Sequence, residues 1–174
     1  MHKFARRAVL KGAASAALSG LIHSSANAAF VDLNSSSGYE LITKDHLDDE
    51  LTKLSGKNQS VDLTFQGSRT AATASLVNEA VYQEKEFEWH EAKDHIFIGL
   101  RGETVYEIGG SPTLPYRISS EEWRAPASKG AVSVTLKPGD MLTIPRGTPH
   151  RQSTDRAASF LLISPNGLAL NRKE

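Results

Sequence analysis

Short strand-like segments, separated by turn residues at nearly regular intervals, fill the chain from residue 60 onward. The first alternates apolar Val61, Leu63 and Phe65 with polar residues, and the same pattern returns at residues 70–77, 80–83, 96–100, 104–108, 131–136, 141–144 and 157–163. A period of two is typical of strands whose two faces meet different surroundings. Many short strands punctuated by Gly and Pro turns favour a β-sandwich or barrel over a parallel α/β sheet.

One helix is predicted ahead of the strands, over residues 43–54. Thr43 suits the N-cap, acidic residues follow it in the first turn, and a glycine at position 56 suits the end. Leu47, Leu51 and Leu54 share one face, because they follow the i, i+4, i+7 spacing. The sequence therefore predicts an all-β fold with one N-terminal helix packed on a sheet.

The first 28 residues have the pattern of an export signal. Basic residues open the segment without any acidic residue: Lys3, Arg6, Arg7 and Lys11. A weakly apolar run at residues 12–22 follows, too short to span a bilayer, and Ala26-Asn27-Ala28 is an A-x-A cleavage pattern. The paired arginines resemble the twin-arginine signal, which implies folding before export to the periplasm or beyond. A Sec-type signal with two arginines is the alternative.

Three regions follow from this division: the signal at residues 1–28, a lead-in with the helix at residues 29–59, and one β domain at residues 60–174. Without the signal, the chain has 16 basic and 20 acidic side chains, a net charge of about −4. The sequence without the signal has no basic patch that would indicate nucleic acid or an anionic membrane as a partner. The chain has no cysteine, so the fold makes no use of an oxidising compartment.

Residues 111–130 interrupt the strand pattern. They hold three prolines, a tyrosine, a tryptophan and two arginines, without clear periodicity. Irregular segments of this length are usually functional or disordered. We interpret this one as a lid, an oligomer contact or a surface excursion packed on the barrel.

Two strand–turn segments about fifty residues apart hold three histidines and a carboxylate: Glu88, His90, His95 and His150. Glu88 and His90 share a strand face because they are two residues apart. A turn follows, in which we expect Glu91 and Asp94 to be exposed. Because histidine is the commonest transition-metal ligand, convergence of the three imidazoles would make a metal site. Glu88 would be a fourth ligand or a nearby acid/base.

The second segment resembles a motif of the cupin family, G-x5-P-x-G-x2-H-x3-N. It matches at Gly139, Pro145, Gly147 and His150, while Thr154 stands in place of the asparagine. This motif is specific, and the resemblance spans roughly residues 87–154 once the first segment is included.

The first segment resembles the other cupin motif, G-x5-H-x-H-x3 or x4-E-x6-G, less closely. Counting back from Gly102, His95 stands where the family has glutamate. With the four-residue gap, His90 is the second histidine and Glu88 replaces the first. With the three-residue gap, His90 is the first histidine and Ala92 replaces the second.

The resemblance implies a cupin-type jelly-roll β-barrel, a homodimer formed through sheet edges, and an oxygenase, decarboxylase or isomerase activity. The donor set His90, His95, His150 and Glu88 would suit one divalent Mn, Fe, Ni, Cu or Zn, because ligand type does not choose among them. A barrel of this size holds one small ligand. We expect Phe97, Leu142 and Ile144 in the pocket wall.

Two classes of function follow. The first is a metal-dependent enzyme that acts on a small organic molecule. The second is a non-catalytic module that binds or senses such a molecule, and a purely structural metal site is a weaker third reading. The altered first motif favours the binding module more than an intact motif would, and it prevents any particular cupin reaction from being carried over.

Overall fold

The computed structural model describes residues 41–63, 71–81 and 85–167. Its helix α1, Lys44–Leu54, begins after Thr43, whose hydroxyl accepts a hydrogen bond from the backbone N–H of His46 at 3.2 Å. Leu51 and Leu54 are buried in a cluster that also contains Leu63 and Leu76. The predicted helix, its N-cap and its apolar face are confirmed.

Thirteen strands lie within the described ranges, and every pairing between them is antiparallel. In chain order the strands are β1 Gln59–Asp62, β2 Ala72–Glu79, β3 Phe87–His90, β4 His95–Arg101, β5 Thr104–Ile108, β6 Ser111–Thr113, β7 Tyr116–Arg117, β8 Glu122–Ala125, β9 Ala127–Lys129, β10 Val132–Leu136, β11 Met141–Ile144, β12 His150–Ser153 and β13 Ala158–Pro165.

Two main sheets contain these strands. One has the order β1-β2-β13-β4-β11, the other β10-β5-β12-β3-β8-β7, and β6 and β9 form a separate ribbon. Eight of the strands pair from the outside inward: β2 with β13, β3 with β12, β4 with β11, and β5 with β10. Nested antiparallel pairing of eight strands over two sheets is the jelly-roll topology. The predicted all-β jelly roll with one N-terminal helix is confirmed.

The apolar core between the sheets is built from alternate strand positions. Phe97, Tyr106, Leu136, Ile144 and Phe160 form it, each at most 3% exposed. The ring centroid of Phe97 lies 4.8 Å from that of Tyr106 and 5.6 Å from that of Phe160. These rings fill the barrel on one side of Phe97 and leave the other side to polar residues.

Residues 111–130 form four short strands, β6 to β9, instead of an irregular loop. Strand β8 pairs with β3 along its length, and β7 pairs with β8, so the segment widens one main sheet. The rings of Trp89 and Trp123 stack across this pairing, with centroids 5.9 Å apart. Pairing with a strand distant in sequence depends on tertiary packing, so the local pattern did not reveal it.

The predicted export signal at residues 1–28 lies outside the described residues. Within the part of the chain that is described, no helix has the length and apolar character needed to cross a membrane.

Candidate metal centre

The three predicted histidines lie side by side between the two sheets. The ring centroids of His90 and His95 are 4.8 Å apart, and those of His95 and His150 are 5.2 Å apart. His95 and His150 are buried, and His90 is half-buried. Glu88 is the direct cross-strand partner of His150, so it joins the same group. The fold therefore brings together all four side chains that the sequence singled out.

Alternation along β3 explains which side chains enter the site. Phe87 and Trp89 are buried in an apolar cluster with Ala125, on the face of the sheet away from the histidines. Glu88 and His90 take the opposite face, as the period of two requires.

A salt bridge between Asp94 and Arg146 joins the two motif segments. The Asp94 carboxylate accepts hydrogen bonds from the Arg146 backbone N–H at 2.8 Å, from Nε at 3.0 Å and from Nη2 at 2.6 Å. The backbone N–H of Gly147 also donates to the carbonyl of His90, at 2.7 Å. The guanidinium holds the pKa of Asp94 below its usual value. These contacts fix the start of β4 against the loop that leads to β12.

The expectation that Glu91 and Asp94 are exposed turn residues is wrong. Glu91 is 7% exposed and accepts a hydrogen bond from Nε1 of Trp123 at 2.8 Å. Asp94 is half-buried against Arg146. Both partners lie more than thirty residues away in the sequence, so the turn pattern could not reveal them.

The imidazole of His150 is oriented by the backbone. Its Nδ1 lies 2.9 Å from the carbonyl oxygen of Thr148, and only a protonated Nδ1 can donate to that oxygen. Nε2 then carries a lone pair, which is buried and has no hydrogen-bond partner. Nδ1 of His95 is buried without a partner as well. A backbone carbonyl that fixes one ring nitrogen while the other is unpaired is the usual arrangement of a metal-binding histidine.

The surroundings lower the pKa of all three histidines, which favours their neutral form. Burial, and then the neighbouring His150, lowers the pKa of His95 to about 3. Burial lowers the pKa of His150 to about 4, against the opposing effect of its hydrogen bond to Thr148. Burial also lowers the pKa of His90. The 3.8 Å contact between His150 Nε2 and Glu88 Oε1 is therefore not an ion pair at neutral pH. The neutral imidazole is the form that binds metals.

The distances between the ring centroids fit a shared metal, but the donor atoms are not arranged as a metal site. Two imidazoles bound to one metal at about 2.1 Å would hold their ring centroids about 4.5–5.2 Å apart. The observed 4.8 and 5.2 Å lie in that interval. However, in residues 41–63, 71–81 and 85–167 no group of three or more His, Asp or Glu side chains is arranged so that it could hold a metal ion. Metal binding at this cluster therefore needs its side chains to rearrange.

Arg124 is a site residue that the sequence interpretation did not identify. Strand β8 places Arg124 opposite Glu88 and Glu122 opposite His90. The guanidinium forms ion pairs with Glu88 and, at 2.6 Å, with Glu122. The alternation of Glu122, Trp123 and Arg124 was the one available sequence signal of this strand.

A cavity of about 420 Å³ opens beside His150. Charged and polar side chains line it: Lys85, Glu86, Glu88, Arg124, His150, Arg151 and Gln152. Phe97, Leu142 and Ile144, expected in the pocket wall, do not line this cavity. Phe97 and Ile144 are buried in the core and Leu142 packs against it, because the rings of Tyr106 and Phe160 fill that part of the barrel.

Three solved structures resemble the chain at low sequence identity. A protein from Neisseria meningitidis is 17% identical, over 72% of this chain and 99% of the other, with a TM-score of 0.48. A cupin-2 domain protein from Shewanella frigidimarina is 17% identical, over 72% and 94%, with a TM-score of 0.45. A DMSP lyase from Ruegeria pomeroyi is 21% identical, over 66% and 49%, with a TM-score of 0.44.

No family model matches the chain, and no curated protein matches it. Similarities at this level carry no argument about activity. The fold can instead be identified from the chain itself, because its nested strand pairs are those of a jelly roll and the second motif matches at Gly139, Pro145, Gly147 and His150. The chain is a jelly-roll β-barrel whose second motif resembles that of the cupins.

Proposed function

We propose that this protein binds one divalent transition metal through His90, His95 and His150 and is an enzyme that acts on a small organic molecule. The observation that supports the proposal is the cluster of neutral imidazoles, in which His95 Nδ1 and His150 Nε2 are buried without partners. A buried polar atom without a partner costs about 1–3 kcal/mol. A metal bound to both nitrogens would remove that cost.

The residues around the cluster suit chemistry on a bound ligand. A metal held there supplies a Lewis acid that polarises a ligand oxygen or, if it is redox-active, activates O₂. Glu88 lies 3.8 Å from His150 Nε2 and lines the cavity, so it is placed to hold or move a proton, or to become the fourth ligand. Oxygenase, decarboxylase and isomerase reactions all use such a set of groups, and the metal is Mn, Fe, Ni, Cu or Zn.

The ion pair between Arg124 and Glu88 favours a second candidate, a non-catalytic binding or sensing module. A guanidinium beside a carboxylate stabilises its charged form and weakens it as a base. In that case the cavity captures a ligand without transforming it. A spectrum or mass change in the ligand after incubation with metal-loaded protein separates the enzyme from the binding module.

Metal binding is tested by elemental analysis and by titration of the metal-free protein with Zn²⁺ and Mn²⁺. We expect one equivalent for the natural sequence and none for His95→Ala or His150→Ala. His46→Ala, on the helix and away from the site, is the matched control and should bind like the natural sequence. Absence of stoichiometric metal binding by the natural sequence would refute the proposal.

We also propose export by the twin-arginine route, on the strength of Arg6, Arg7 and Lys11 in the first 28 residues. The double variant Arg6→Lys/Arg7→Lys, expressed with its natural signal, should stay in the cytoplasmic fraction. Its appearance in the periplasm at the natural level would contradict twin-arginine export and favour the Sec-type alternative.

A homodimer formed through sheet edges is proposed as well. Edge strand β10 exposes Val132 and Val134, at 65% and 39%, and such strand edges are prone to pair with another chain. Light scattering coupled to gel filtration should give twice the mass of one chain. A single-chain mass across micromolar concentrations would refute the dimer.

A further inference from the structure

One row of side chains crosses three neighbouring strands of the sheet that carries His90 and His150. His150 in β12 is the direct cross-strand partner of Glu88 in β3, and Glu88 is in turn the partner of Arg124 in β8. Direct partners on one face of a sheet hold their Cβ atoms about 4.5–5.5 Å apart. Glu88 therefore lies between the imidazole and the guanidinium, within reach of both.

The two carboxylate oxygens of Glu88 have different neighbours. Oε2 forms the ion pair with Nη1 of Arg124, whereas Oε1 lies 3.8 Å from Nε2 of His150. Two donor atoms that share a metal at about 2.1 Å lie about 3.0–3.4 Å from each other. Oε1 and Nε2 are thus close to the separation of two ligands. The ion pair engages one oxygen and leaves the one beside His150 for another contact.

Arg124 is itself held in place by a second carboxylate. Its Nη2 pairs with Oε1 of Glu122 at 2.6 Å, so its two terminal nitrogens pair with two different glutamates. The Arg124 side chain is 26% exposed, and the planar guanidinium fixes the directions of both contacts. Because both nitrogens are engaged, this arginine is suited to hold Glu88 in one orientation and not to capture an anionic ligand.

Two physical effects of Arg124 on a bound metal have opposite signs. A carboxylate ligand is usually oriented by a hydrogen bond from a neighbouring group, and loss of that neighbour weakens metal binding. The positive charge of the guanidinium repels a divalent cation, so on Coulomb's law alone its removal would strengthen metal binding. The sign of the change in affinity therefore separates orientation of Glu88 from simple electrostatics.

We propose that Arg124, anchored by Glu122, is a positioning residue that orients Glu88 so that its Oε1 becomes the fourth ligand of the metal centre instead of an acid/base. The inference rests on the proposed function, since it takes the metal to be bound by the three histidines. It also gives a role to β8, and so to part of the segment at residues 111–130 that interrupts the sequence pattern.

Titration with Co²⁺ tests the inference, because the visible absorption of bound Co²⁺ depends on its ligands. We would titrate the metal-free natural sequence, Glu88→Gln, Arg124→Gln and the double variant. Glu88→Gln should change the spectrum and weaken binding. Arg124→Gln should change the spectrum in the same direction and weaken binding about tenfold. In the Glu88→Gln background, Arg124→Gln should have no further effect, because it acts only through Glu88.

Arg117→Gln is the matched control. It removes one guanidinium from the adjacent strand β7, where Arg117 is the cross-strand partner of Trp123 and lies over its ring, on the other face of the sheet. It should change neither the spectrum nor the affinity. Glu122→Gln removes only the anchor of Arg124 and should weaken Co²⁺ binding while Glu88 is present. This variant, compared in both backgrounds, decides the question if circular dichroism shows that Arg124→Gln does not fold.

Tighter Co²⁺ binding by Arg124→Gln would overturn the inference, because the guanidinium would then compete with the metal or repel it. An equal loss of affinity with and without Glu88 would also overturn it and give Arg124 a purely structural role. If Co²⁺ binds but Glu88→Gln changes neither spectrum nor affinity, Glu88 is not a ligand, and the inference fails while the histidine centre stands. If the natural sequence binds no Co²⁺, the proposed metal centre fails and the inference fails with it.

Discussion

The ion pair between Asp94 and Arg146 is the contact that we expect to hold the two halves of the metal centre together. Asp94 directly precedes His95, and Arg146 lies in the loop that leads to His150. Two hydrogen bonds join the side chains, at 3.0 and 2.6 Å, and a third joins the carboxylate to the Arg146 backbone at 2.8 Å. The side chains are 28% and 22% exposed, so water screens them in part.

The magnitude follows from these contacts. A hydrogen bond to a charged group contributes about 1.5–3 kcal/mol when buried, whereas exposed ion pairs contribute about 0.2–1 kcal/mol. For two bonds at intermediate exposure we expect a coupling free energy of about 1–2 kcal/mol between the side chains. Asp94→Ala also loses the bond to the backbone, so it should lower the free energy of unfolding by about 2–3 kcal/mol, or Tm by about 6–10 °C.

A double-mutant cycle measures the coupling without the backbone bond. Urea denaturation of the natural sequence, Asp94→Ala, Arg146→Ala and the double variant gives the free energies, and Zn²⁺ titration of the same proteins gives the affinities. We expect Asp94→Ala to weaken Zn²⁺ binding about tenfold. The exposed pair Lys44–Asp48 on α1 is the matched control, and its coupling should not exceed the error of the measurement. A coupling for Asp94 no larger than that, with unchanged Zn²⁺ affinity, would refute this reasoning.

Three further predictions concern the metal-free protein. Its free energy of unfolding should fall as the pH drops from about 6.5 toward 4. Unfolded histidines take up protons in this range, whereas His95 and His150, with pKa values of about 3 and about 4, do not bind them in the folded protein. Urea denaturation at several pH values should show this slope, and its absence would contradict the burial of neutral imidazoles. Gly99→Ala should abolish the soluble fold or lower Tm strongly, since the added Cβ would lie 2.2 Å from the Lys137 carbonyl oxygen. Circular dichroism measures the Tm, and an unchanged Tm would refute this close approach of the two backbone segments. Leu76 is fully buried under α1, so Leu76→Ala should lower the free energy of unfolding by about 2–5 kcal/mol in urea denaturation. A decrease below about 1 kcal/mol would contradict the packing of Leu76.

The sequence was sufficient to predict the fold class and four of the side chains in the site. Period-two alternation assigned Glu88 and His90 to one face of β3, and the structure has them there. Gly139 and the turn residues after Pro145 placed His150 at the start of a strand, where β12 begins. Such features are local, because a strand's faces and a turn's geometry depend on neighbouring residues.

The pocket wall and the polar partners could not be predicted in this way. Phe97 and Ile144 are inward-facing as expected, but which inward-facing side chains pack as core and which line a cavity depends on the residues opposite them. Arg124 reaches Glu88 only because β8 pairs with β3. Glu91 is buried only because Trp123 and Arg117 lie beside it.

The sequence by itself determined that this chain forms short antiparallel strands after one helix, and that three histidines sit at strand ends. The tertiary structure alone decided that those histidines share one space, that Arg124 holds Glu88, and that Glu91 is buried against Trp123. The physical reason is the difference between local and long-range contacts. Alternation and turns are encoded over a few residues, whereas strand register joins residues that are dozens of positions apart.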